Sequence, residues 1–294
     1  MTTNFCPMRR KLLIGAALAP AASLLALPSF AAADAAAQLR LLEAQNKGRI
    51  GLALLDAEGS PLLLQRAEEL FPFCSTFKMM LSACVLRRSV TDAALMQRGV
   101  AIERQALVSY SPVVEKHVGA TMTVEELCIA AMEYSDNAAA NLLLDMIGGI
   151  ETLNAFARSV GDEAFTLNRH ETELGKAIPG DRRDTTTPLA MAHSLQRLAL
   201  GDELPQAQRG QLLDWMRANR TGSKRIRAGV PQGWLIGDKT GSGDYGTTND
   251  IAVLHRPDRT PLILTIYFTQ EARDAPLRDE VLAVATRIAL AGLA

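Results

Sequence analysis

Hydrophobic and polar positions follow successive patterns along the chain. Residues 35–45 have the composition of a good helix, and residues 49–56 alternate into a strand that turns at residues 58–60 toward a second strand at residues 62–64. From about residue 75 to residue 213 the pattern changes to that of helices. The chain therefore predicts the beginning of a sheet followed by a predominantly helical middle.

The helical middle contains four well-defined segments, and strand patterns return after it. Helices are predicted at residues 123–134, 138–147, 150–160 and 188–200. Strands are predicted at residues 225–229, 234–240, 249–254 and 261–268, and a helix at residues 277–293 closes the chain. Strands from both ends of a chain most simply complete one sheet, so the middle is predicted to be an inserted helical lobe with a ligand-binding cleft between the layers.

The first thirty or so residues have a different character. Basic residues 9–11 precede an apolar, alanine-rich run at residues 12–27, and small residues follow at 31–33. This order predicts a cleavable export signal over residues 1–33. A membrane-spanning anchor is less favoured, because two prolines interrupt the run and it is shorter than the roughly 20 apolar residues of a span. The paired arginines fit a twin-arginine signal and an ordinary secretory signal equally well.

Composition and charge mainly exclude possibilities. Hydrophobic residues make up 48% of the 294 positions and charged residues 21%, which is ordinary for a globular enzyme of one or two domains. Lys plus Arg (31) nearly balance Asp plus Glu (32), so no strong electric field recruits nucleic acid or an acidic surface. Charge thus argues against a nucleic-acid partner and identifies no other.

Of the four cysteines, Cys6 belongs to the predicted signal, and Cys74, Cys84 and Cys128 remain. Three is an odd number, so at least one thiol stays unpaired. Their spacing matches neither a metal site nor a C-x-x-C redox pair, and their alanine-rich helical context suits buried thiols that pack as small apolar groups. We expect neither a metal nor another cofactor.

A hydroxyl and an amine stand three residues apart at the predicted start of an apolar helix. Ser75 and Lys78 share a helix face at this spacing. A serine becomes a strong nucleophile when a neighbouring base takes its proton, and a lysine can be that base if burial or another cation lowers its pKa. Alone the pattern is weak, because a helix-capping serine beside a solvated lysine has the same spacing.

Two further polar motifs interrupt the apolar pattern. Residues 135–137 (Ser-Asp-Asn) separate two predicted helices, where an N-capping cluster is the simpler interpretation. Residues 239–243 (Lys-Thr-Gly-Ser-Gly) follow a predicted strand, where a glycine-rich hairpin is the simpler interpretation. On a strand, Thr240 and Ser242 point to one face and Lys239 to the other, and the central glycine lets another backbone approach closely.

Together and in this order, the three motifs closely resemble the S-x-x-K, S-D-N and K-T-G signature of class A serine β-lactamases. The resemblance runs from about residue 35 to the C-terminus. Residues 169–188 resemble the omega loop of the family, and residues 110–112 resemble the segment that carries an aromatic side chain at the cleft mouth.

The resemblance implies an α/β (α+β) protein with a two-lobed β-lactamase/transpeptidase-like fold. An antiparallel five-stranded sheet flanked by terminal helices would form one lobe, and an inserted all-helical lobe the other. A single domain would span residues 34–294, with the α/β lobe at about 34–68 and 219–294 and the helical lobe at about 69–218. The mature protein would be an exported, periplasmic monomer without a membrane anchor, and it would act on small-molecule β-lactams and confer antibiotic resistance.

Carried over residue by residue, the resemblance implies two-step acyl transfer. Ser75 would attack the lactam carbonyl, and Lys78, or Glu171 through a water, would take its proton; this choice stays open. Ser135, helped by Lys239, would pass a proton to the departing nitrogen. Water activated by Glu171 would then cleave the acyl-enzyme.

Other residues would bind the substrate or close the site. The backbone N–H groups of Ser75 and Ser242 would form the oxyanion hole, and Arg169 and Asp184 would pair to close the omega loop. The implied substrate-binding set, besides Lys239, comprises Tyr110, Asn137, Gly175, Thr221, Arg225, Thr240 and Ser242.

Arg225 resembles an alternative source of the guanidinium that meets the substrate carboxylate. The usual arginine is absent, because Thr248 stands in its place, and Arg225 would supply the group from a neighbouring strand. We expect Arg225→Ala to raise KM for penicillins markedly while leaving folding intact.

The sequence departs from the family pattern at several positions. Gly175 stands where most members carry an asparagine that helps to hold the deacylating water, so either Glu171 and Ser75 suffice or a less restrained water changes which acyl-enzymes are hydrolysed quickly. Thr172 stands where proline is common, so a cis bond before it would be a non-proline one. Gly243 and Ser82 occupy the positions of partner cysteines in relatives, so we expect no disulfide at Cys74 or Cys128.

Two other functions use similar chemistry. A D-alanyl-D-alanine peptidase shares the S-x-x-K and K-T-G motifs but lacks a water-activating carboxylate like Glu171. A penicillin sensor would stay acylated at Ser75, but sensors of this type are membrane-tethered, and no later apolar run has spanning length.

Overall fold

The computed structural model describes residues 1–3, 30–291 and 293. The predicted export signal therefore lies almost entirely outside the described residues. Within the described ranges, no helix combines the length and the apolar character that crossing a membrane requires.

In the described part of the chain, strands form one large sheet and two small ones. The large sheet is antiparallel in the order β2-β1-β9-β8-β7 and contains β1 (Gly48–Leu55), β2 (Pro61–Gln65), β7 (Leu235–Gly243), β8 (Thr247–His255) and β9 (Leu262–Gln270). The small sheets pair β3 (Phe71–Pro72) with β6 (Thr185–Thr186), and β4 (Gly99–Ala101) with β5 (Thr121–Thr123). Both chain ends contribute to one sheet, so the predicted antiparallel five-stranded sheet is confirmed.

Helices cover both faces of this sheet. One face carries α1 (Phe30–Asn46), the short α8 (Ile226–Gly229) and α9 (Asp279–Leu290). The opposite face carries the helical layer, which is formed by α2 (Phe77–Ser89), α3 (Val124–Glu133), α4 (Asn137–Met146), α5 (Ile150–Ser159), α6 (Pro188–Ala199) and α7 (Gln206–Arg217). The fold is the predicted sheet with terminal helices and an inserted helical layer.

The sheet lies between two hydrophobic cores. On β1, Leu52 and Leu54 belong to the core under α1 and α9, whereas Ala53 and Leu55 belong to the core shared with the helical layer. Successive side chains of a strand point to opposite faces, so a strand covered on both sides is apolar at every position. Each fully buried leucine of this kind contributes about 2 kcal/mol to folding.

Residues 226–229 form the helical turn α8 and Arg225 directly precedes it, so the strand predicted at residues 225–229 is wrong. The Ala228 N–H donates to the Arg225 carbonyl oxygen over 3.0 Å. A Cβ on Gly229 would lie 2.4 Å from the Ala283 carbonyl oxygen, so α8 packs directly on α9. This tertiary contact decides the conformation, and a five-residue pattern cannot reveal it.

Candidate active site

Ser75 lies in a single 3-10 turn, Cys74–Thr76, directly before α2. The Thr76 hydroxyl donates to the Phe73 carbonyl oxygen over 2.9 Å and stabilises this turn. Lys78 follows in the first turn of α2, where it is fully buried, and its Nζ lies 2.9 Å from Ser75 Oγ. The spacing of three residues thus brings the hydroxyl and the amine into direct contact.

Lys78 lies at the centre of a polar cluster. Its Nζ also donates to Asn137 Oδ1 over 2.6 Å and to the Ser135 carbonyl oxygen over 2.9 Å, and Glu171 Oε1 lies 3.0 Å away. Burial lowers the pKa of Lys78, and the negative charge of Glu171 opposes this shift. Burial therefore provides the condition under which a lysine can act as a base.

The loop from Arg169 to Asp184, called here the 169–184 loop, presents Glu171 to Ser75. Glu171 Oε1 accepts a hydrogen bond from Ser75 Oγ over 2.8 Å. Asn141 of α4 holds the Glu171 backbone, because its Nδ2 donates to the Glu171 carbonyl oxygen over 2.9 Å and its Oδ1 accepts from the Glu171 N–H over 3.0 Å. The peptide bond between Glu171 and Thr172 is cis.

An ion pair joins the two ends of the 169–184 loop. Arg169 Nε lies 2.5 Å from Asp184 Oδ2. The buried Asp184 also accepts, at Oδ1, the backbone N–H groups of Asn168 and Arg169 over 2.7 and 3.0 Å. The Asp184 carboxylate thus holds the two ends of the loop together.

Ser135 lies between two buried lysines. Lys239 Nζ donates to Ser135 Oγ over 3.0 Å and to the Thr240 carbonyl oxygen over 2.9 Å, whereas Lys78 contacts the Ser135 carbonyl. Burial lowers the pKa of Lys239 well below its usual value, and the positive charge of Lys78 lowers it further. The charge of Lys78 therefore makes Lys239 easier to deprotonate.

Asp136 fixes the turn that carries Ser135 and Asn137. Its Oδ1 accepts from the Ala139 N–H over 2.9 Å and caps α4, and its Oδ2 accepts the N–H groups of residues 113 and 114 over 2.9 and 3.0 Å. The motif is therefore both a helix cap and part of the site, because the cap formed by Asp136 positions the side chains of Ser135 and Asn137.

Gly241 allows β7 to lie against the turn that carries Ser75. A Cβ at Gly241 would lie 2.7 Å from the Phe73 carbonyl oxygen and 3.2 Å from Ser75 N, which no other residue could tolerate without a shift. The neighbouring Thr240 contributes its Oγ1, which lies 2.5 Å from Thr221 Oγ1. The backbones of β7 and of the Ser75 turn thus meet at the same end of the cleft.

Arg225 connects the site to the sheet and to α9. Its Nη2 donates to Ser242 Oγ over 2.8 Å, its Nη1 donates to the carbonyl oxygens of Gly241 and Asn249 over 2.8 Å each, and its Nε lies 2.7 Å from Asp279 Oδ1. Arg225 is only 5% exposed. It directly precedes α8 rather than lying in a strand, and its structural contacts revise the expectation that Arg225→Ala leaves folding intact.

A cleft of about 610 Å³ joins these groups. Tyr110 lies at its edge with 59% of its surface exposed. Gly175 borders the cleft near Glu171, and no heavy atom of its described surroundings lies within 4 Å of a Cβ built on it. The other residues predicted from the sequence that line the cleft are Ser75, Ser135, Asn137, Glu171, Thr221, Arg225, Thr240 and Ser242. Lys78 and Lys239 are buried behind them, and Arg169 and Asp184 lie at the base of the loop.

Sequence reasoning missed three residues near the cleft. Asn141 follows Asn137 by four positions and so shares its face of α4, a spacing that could have pointed to it. Asp244 and Arg273 both line the cleft, with Arg273 Nε 3.4 Å from Asp244 Oδ2. They are 29 residues apart, and no local pattern connects them.

The three cysteines of the described chain are free and buried. Burial raises the pKa of Cys74, Cys84 and Cys128, which keeps their thiols protonated. A Cβ at Gly243 would lie 2.8 Å from Cys74 Sγ, so this thiol fills the space between the Ser75 turn and β7. The thiols pack as apolar groups.

Comparisons with known proteins agree with this geometry. Residues 34–292 match a family model described as "Beta-lactamase enzyme family". The chain is 51% identical over 255 residues to "Beta-lactamase CTX-M-97" of Escherichia coli, which covers 87% of this chain and 88% of that protein. It is 50% identical over 252 residues to "Beta-lactamase OXY-2" of Klebsiella oxytoca, which covers 86% and 87% of the two chains.

Solved structures show the same likeness in three dimensions. A β-lactamase from Desulfarculus baarsii DSM 2075 superposes with a TM-score of 0.87 at 49% sequence identity, over 89% of this chain and 98% of that one. A β-lactamase from Burkholderia phymatum superposes with a TM-score of 0.87 at 44% identity, over 90% of this chain and 99% of that one. The predicted fold class is confirmed.

Proposed function

From the premise that the chain belongs to the beta-lactamase enzyme family and is a class A β-lactamase, a hydrolase, we propose that it hydrolyses the lactam amide of penicillins and cephalosporins through an acyl-enzyme on Ser75. One observation carries this proposal. Ser75 Oγ lies 2.9 Å from Lys78 Nζ and 2.8 Å from Glu171 Oε1, so the nucleophile has two proton-accepting groups within hydrogen-bond reach.

Glu171 is the better-placed acceptor of the Ser75 proton. Lys78 Nζ has four acceptors within 3.0 Å, namely Asn137 Oδ1, the Ser135 carbonyl oxygen, Ser75 Oγ and Glu171 Oε1, one more than the three donors of an ammonium, so it is fully engaged as a donor. The Ser75 hydroxyl is then left to donate to Glu171. In the first step Ser75 Oγ bonds to the lactam carbonyl carbon while Glu171 receives the proton.

The carbon–nitrogen bond breaks next, and its nitrogen needs a proton. Ser135 Oγ supplies it, and the Lys239 ammonium 3.0 Å away stabilises the charge that develops on the oxygen. The Ser135 oxygen regains a proton from the Lys239 ammonium, and the proton held by Glu171 returns to Lys239 by way of Lys78, which lies 3.0 Å from Glu171 Oε1, and the solvent of the cleft. This leaves Glu171 ionised for the second step.

Deacylation uses Glu171 as a general base. A water beside its carboxylate attacks the ester carbon, Glu171 takes one proton of the water, and the Ser75 oxygen leaves and regains a proton. The backbone N–H groups of Ser75 and Ser242 hold the negative oxygen in both steps, and losing one such donor costs roughly 3 kcal/mol. Asn141 is a positioning residue for this base, because its two bonds fix the Glu171 backbone.

The end of β7 would recognise the substrate carboxylate. Lys239, Thr240 and Ser242 supply an ammonium and two hydroxyls, and Arg225 adds its charge through Ser242 Oγ at 2.8 Å. Asn137 would hold the side-chain amide of the substrate, and Tyr110 would cover the cleft mouth with Thr221 nearby. Gly175 would leave the deacylating water less restrained than an asparagine does.

The setting of this activity follows from the sequence. The protein would be exported after cleavage of residues 1–33, would act in the periplasm as a monomer and would confer resistance to β-lactam antibiotics. Residues 34–294 would form one domain, with the α/β lobe at about 34–68 and 219–294 and the helical lobe at about 69–218.

A chromogenic cephalosporin tests the activity directly. Protein spanning residues 34–294 should hydrolyse it over many turnovers, and Ser75→Ala should abolish hydrolysis. Glu171→Gln removes the base of both steps, so it should be acylated much more slowly, with Lys78 as the remaining acceptor of the Ser75 proton. It should then stall, so intact-mass measurement after long incubation should find the protein heavier by one substrate. Glu163→Gln, which alters an exposed carboxylate far from the cleft, is the matched control and should turn over normally.

A single stoichiometric burst from the unaltered protein would contradict the proposal. That result is what a D-alanyl-D-alanine peptidase or a penicillin sensor would give, because neither clears the acyl-enzyme quickly. Normal turnover by Ser75→Ala would remove Ser75 as the nucleophile.

A further inference from the structure

A second cavity lies behind the 169–184 loop. It has a volume of about 940 Å³ and is bounded by α1, by the adjacent ends of β1 and β9, and by residues 177–182 of the loop. The cleft at Ser75 is smaller, at about 610 Å³, and none of the steps proposed above uses this second cavity.

Positive charge dominates its rim. Arg40 of α1, Lys47 directly after α1 and Arg182 of the loop are exposed side chains that line the cavity and have no ion-pair partner within the described residues. Three carboxylates also line the cavity: Glu271 is exposed beyond the end of β9, and the other two are already engaged. Glu43 accepts from the Ile50 N–H and from Arg66, both over 2.7 Å, and Asp181 is paired with Arg183 at 2.8 Å.

The floor between these cations is apolar. Arg40 and Ala44 share one face of α1, because they are four residues apart, and Lys47 follows directly after the end of this helix. Leu70 and Pro72 add apolar surface on the sheet side, and residues 177–179 (Ala-Ile-Pro) add it on the loop side. A cavity with an apolar floor and a cationic rim is complementary to a molecule that has an apolar body and an acidic group.

The second cavity shares a wall with the active-site cleft. Ala177 lines the second cavity, yet its Cβ lies 3.4 Å from the position of a Cβ on Gly243, which lines the cleft. The carbonyl oxygen of Gly175 lies 2.6 Å from that same position. Residues 175–177 therefore separate the two cavities, and they follow Glu171 by only a few positions.

We propose that the cavity between α1 and the 169–184 loop binds a small amphipathic organic anion and that its occupation changes the rate of deacylation at Ser75. The anion bridges Arg40 on α1 and Lys47 just after it to Arg182 on the loop and so restrains the wall that positions Glu171. The effect on rate rests on the function proposed above, whereas binding does not.

Anilinonaphthalene sulfonate is a suitable probe, since it joins an apolar body to a sulfonate and fluoresces when bound. Titration of the folded protein should reveal one saturable site per chain. Lys47→Glu and Arg182→Glu should each weaken affinity about fivefold, because each removes one attraction and adds one repulsion. Arg104→Glu, an exposed arginine away from both cavities, is the matched control and should bind as the unaltered protein does.

Ala44→Trp provides a second variant that changes no charge. Its indole should fill the floor between Arg40 and Lys47 and abolish binding, while circular dichroism and the thermal midpoint report that the protein stays folded. If Lys47→Glu, Arg182→Glu and Ala44→Trp all bound the probe with the affinity of the unaltered protein, the proposed site would be wrong.

The coupling has a separate readout. Saturating probe should change the single-turnover deacylation rate of a penicillin at least twofold in the unaltered protein and leave Ala44→Trp unaffected. Binding without any change of rate would overturn the coupling. Failure to turn over β-lactams at all would contradict the proposed function instead, and the fluorescence titration would still decide whether the site exists.

Discussion

At the scale of single residues, the proposed chemistry depends on lysines kept away from water. Lys78 and Lys239 are fully buried and lie on either side of Ser135. Desolvation lowers the pKa of both, and the positive charge of Lys78 lowers that of Lys239 further. The site thus holds amines that lose a proton more easily than exposed lysines do.

Lys239→Arg should move the alkaline limb of the kcat/KM profile to higher pH. The pKa of Lys239 lies well below the usual 10.5, so its ammonium loses its charge at a lower pH than an ordinary lysine does. The neutral amine then no longer attracts the substrate carboxylate. A guanidinium stays charged throughout this range. The measurement is kcat/KM for benzylpenicillin against pH, with the exposed Lys116→Arg as control. An alkaline limb that is identical in all three proteins would refute the assignment.

Gly175→Asn should fold normally and change deacylation selectively. The open space around Gly175 accepts the larger side chain. Its amide can add one hydrogen bond to the water beside Glu171, worth about 1 kcal/mol or about a fivefold change in rate. Deacylation rates should be compared for a penicillin, a cephalosporin and a carbapenem, with Gly210→Asn on α7 as control. Identical rates for all three substrates would mean that Glu171 and Ser75 suffice without the amide.

At the scale of elements, two helices hold the 169–184 loop and the residues just before it by the same device. Asn141 of α4 makes two hydrogen bonds to the backbone of Glu171. Asn154 of α5 makes the equivalent pair to the backbone of Leu167, at 2.8 and 2.9 Å. One asparagine therefore fixes the backbone of Glu171, the proposed base, and the other fixes a position four residues before it.

Asn141→Leu should lower kcat about 100-fold, because a base displaced by about 1 Å loses that much. It should also lower the free energy of unfolding by about 2 kcal/mol, since two backbone groups lose their partner. Asn154→Leu is a matched control, because it also removes two side-chain hydrogen bonds to the backbone. It should destabilise the fold by a similar amount but lower kcat much less. Equal losses of kcat in the two variants would argue that Asn141 acts only through general stability.

Arg225→Ala should raise KM for penicillins and also destabilise the fold. Removing this buried guanidinium leaves Gly241, Asn249 and Asp279 without a donor, at a cost of about 3 kcal/mol. Asp279→Asn is the control, because it removes the ion pair while Arg225 keeps its contact with Ser242. Thermal midpoints and KM should be measured together; a KM that stays unchanged in Arg225→Ala would remove this residue from substrate binding.

Local sequence predicted those parts of the site that depend on local geometry. The contact of Ser75 with Lys78 follows from three residues of helix, and the position of Gly241 from the need for close backbone approach. The contact of Lys239 with Ser135 spans 104 residues, so only the resemblance to a known family could suggest it. The five-residue pattern at 225–229 predicts a strand, but packing on α9 rather than periodicity decides its conformation.

At the scale of the whole molecule, one hydrophobic core crosses the boundary between the proposed lobes. It contains Ile251, Val253 and Tyr267 of the sheet together with the helices of the layer above. A second core lies on the far side of the sheet, under α1 and α9. Because the central strands contribute to both cores, neither lobe can unfold without exposing apolar surface of the other.

The protein should therefore unfold in one cooperative transition. Its two tryptophans can report the lobes separately: Trp215 lies in α7 of the helical layer, and Trp234 packs against the second core beside β7. Trp234→Phe leaves a probe of the helical lobe, and Trp215→Phe leaves a probe of the α/β lobe. Fluorescence of each variant and far-ultraviolet circular dichroism should give the same urea midpoint within a given variant. Two distinct midpoints would mean that residues 69–218 fold as an independent domain, and the Ser75 cleft would then lie between two separable bodies rather than within a single one.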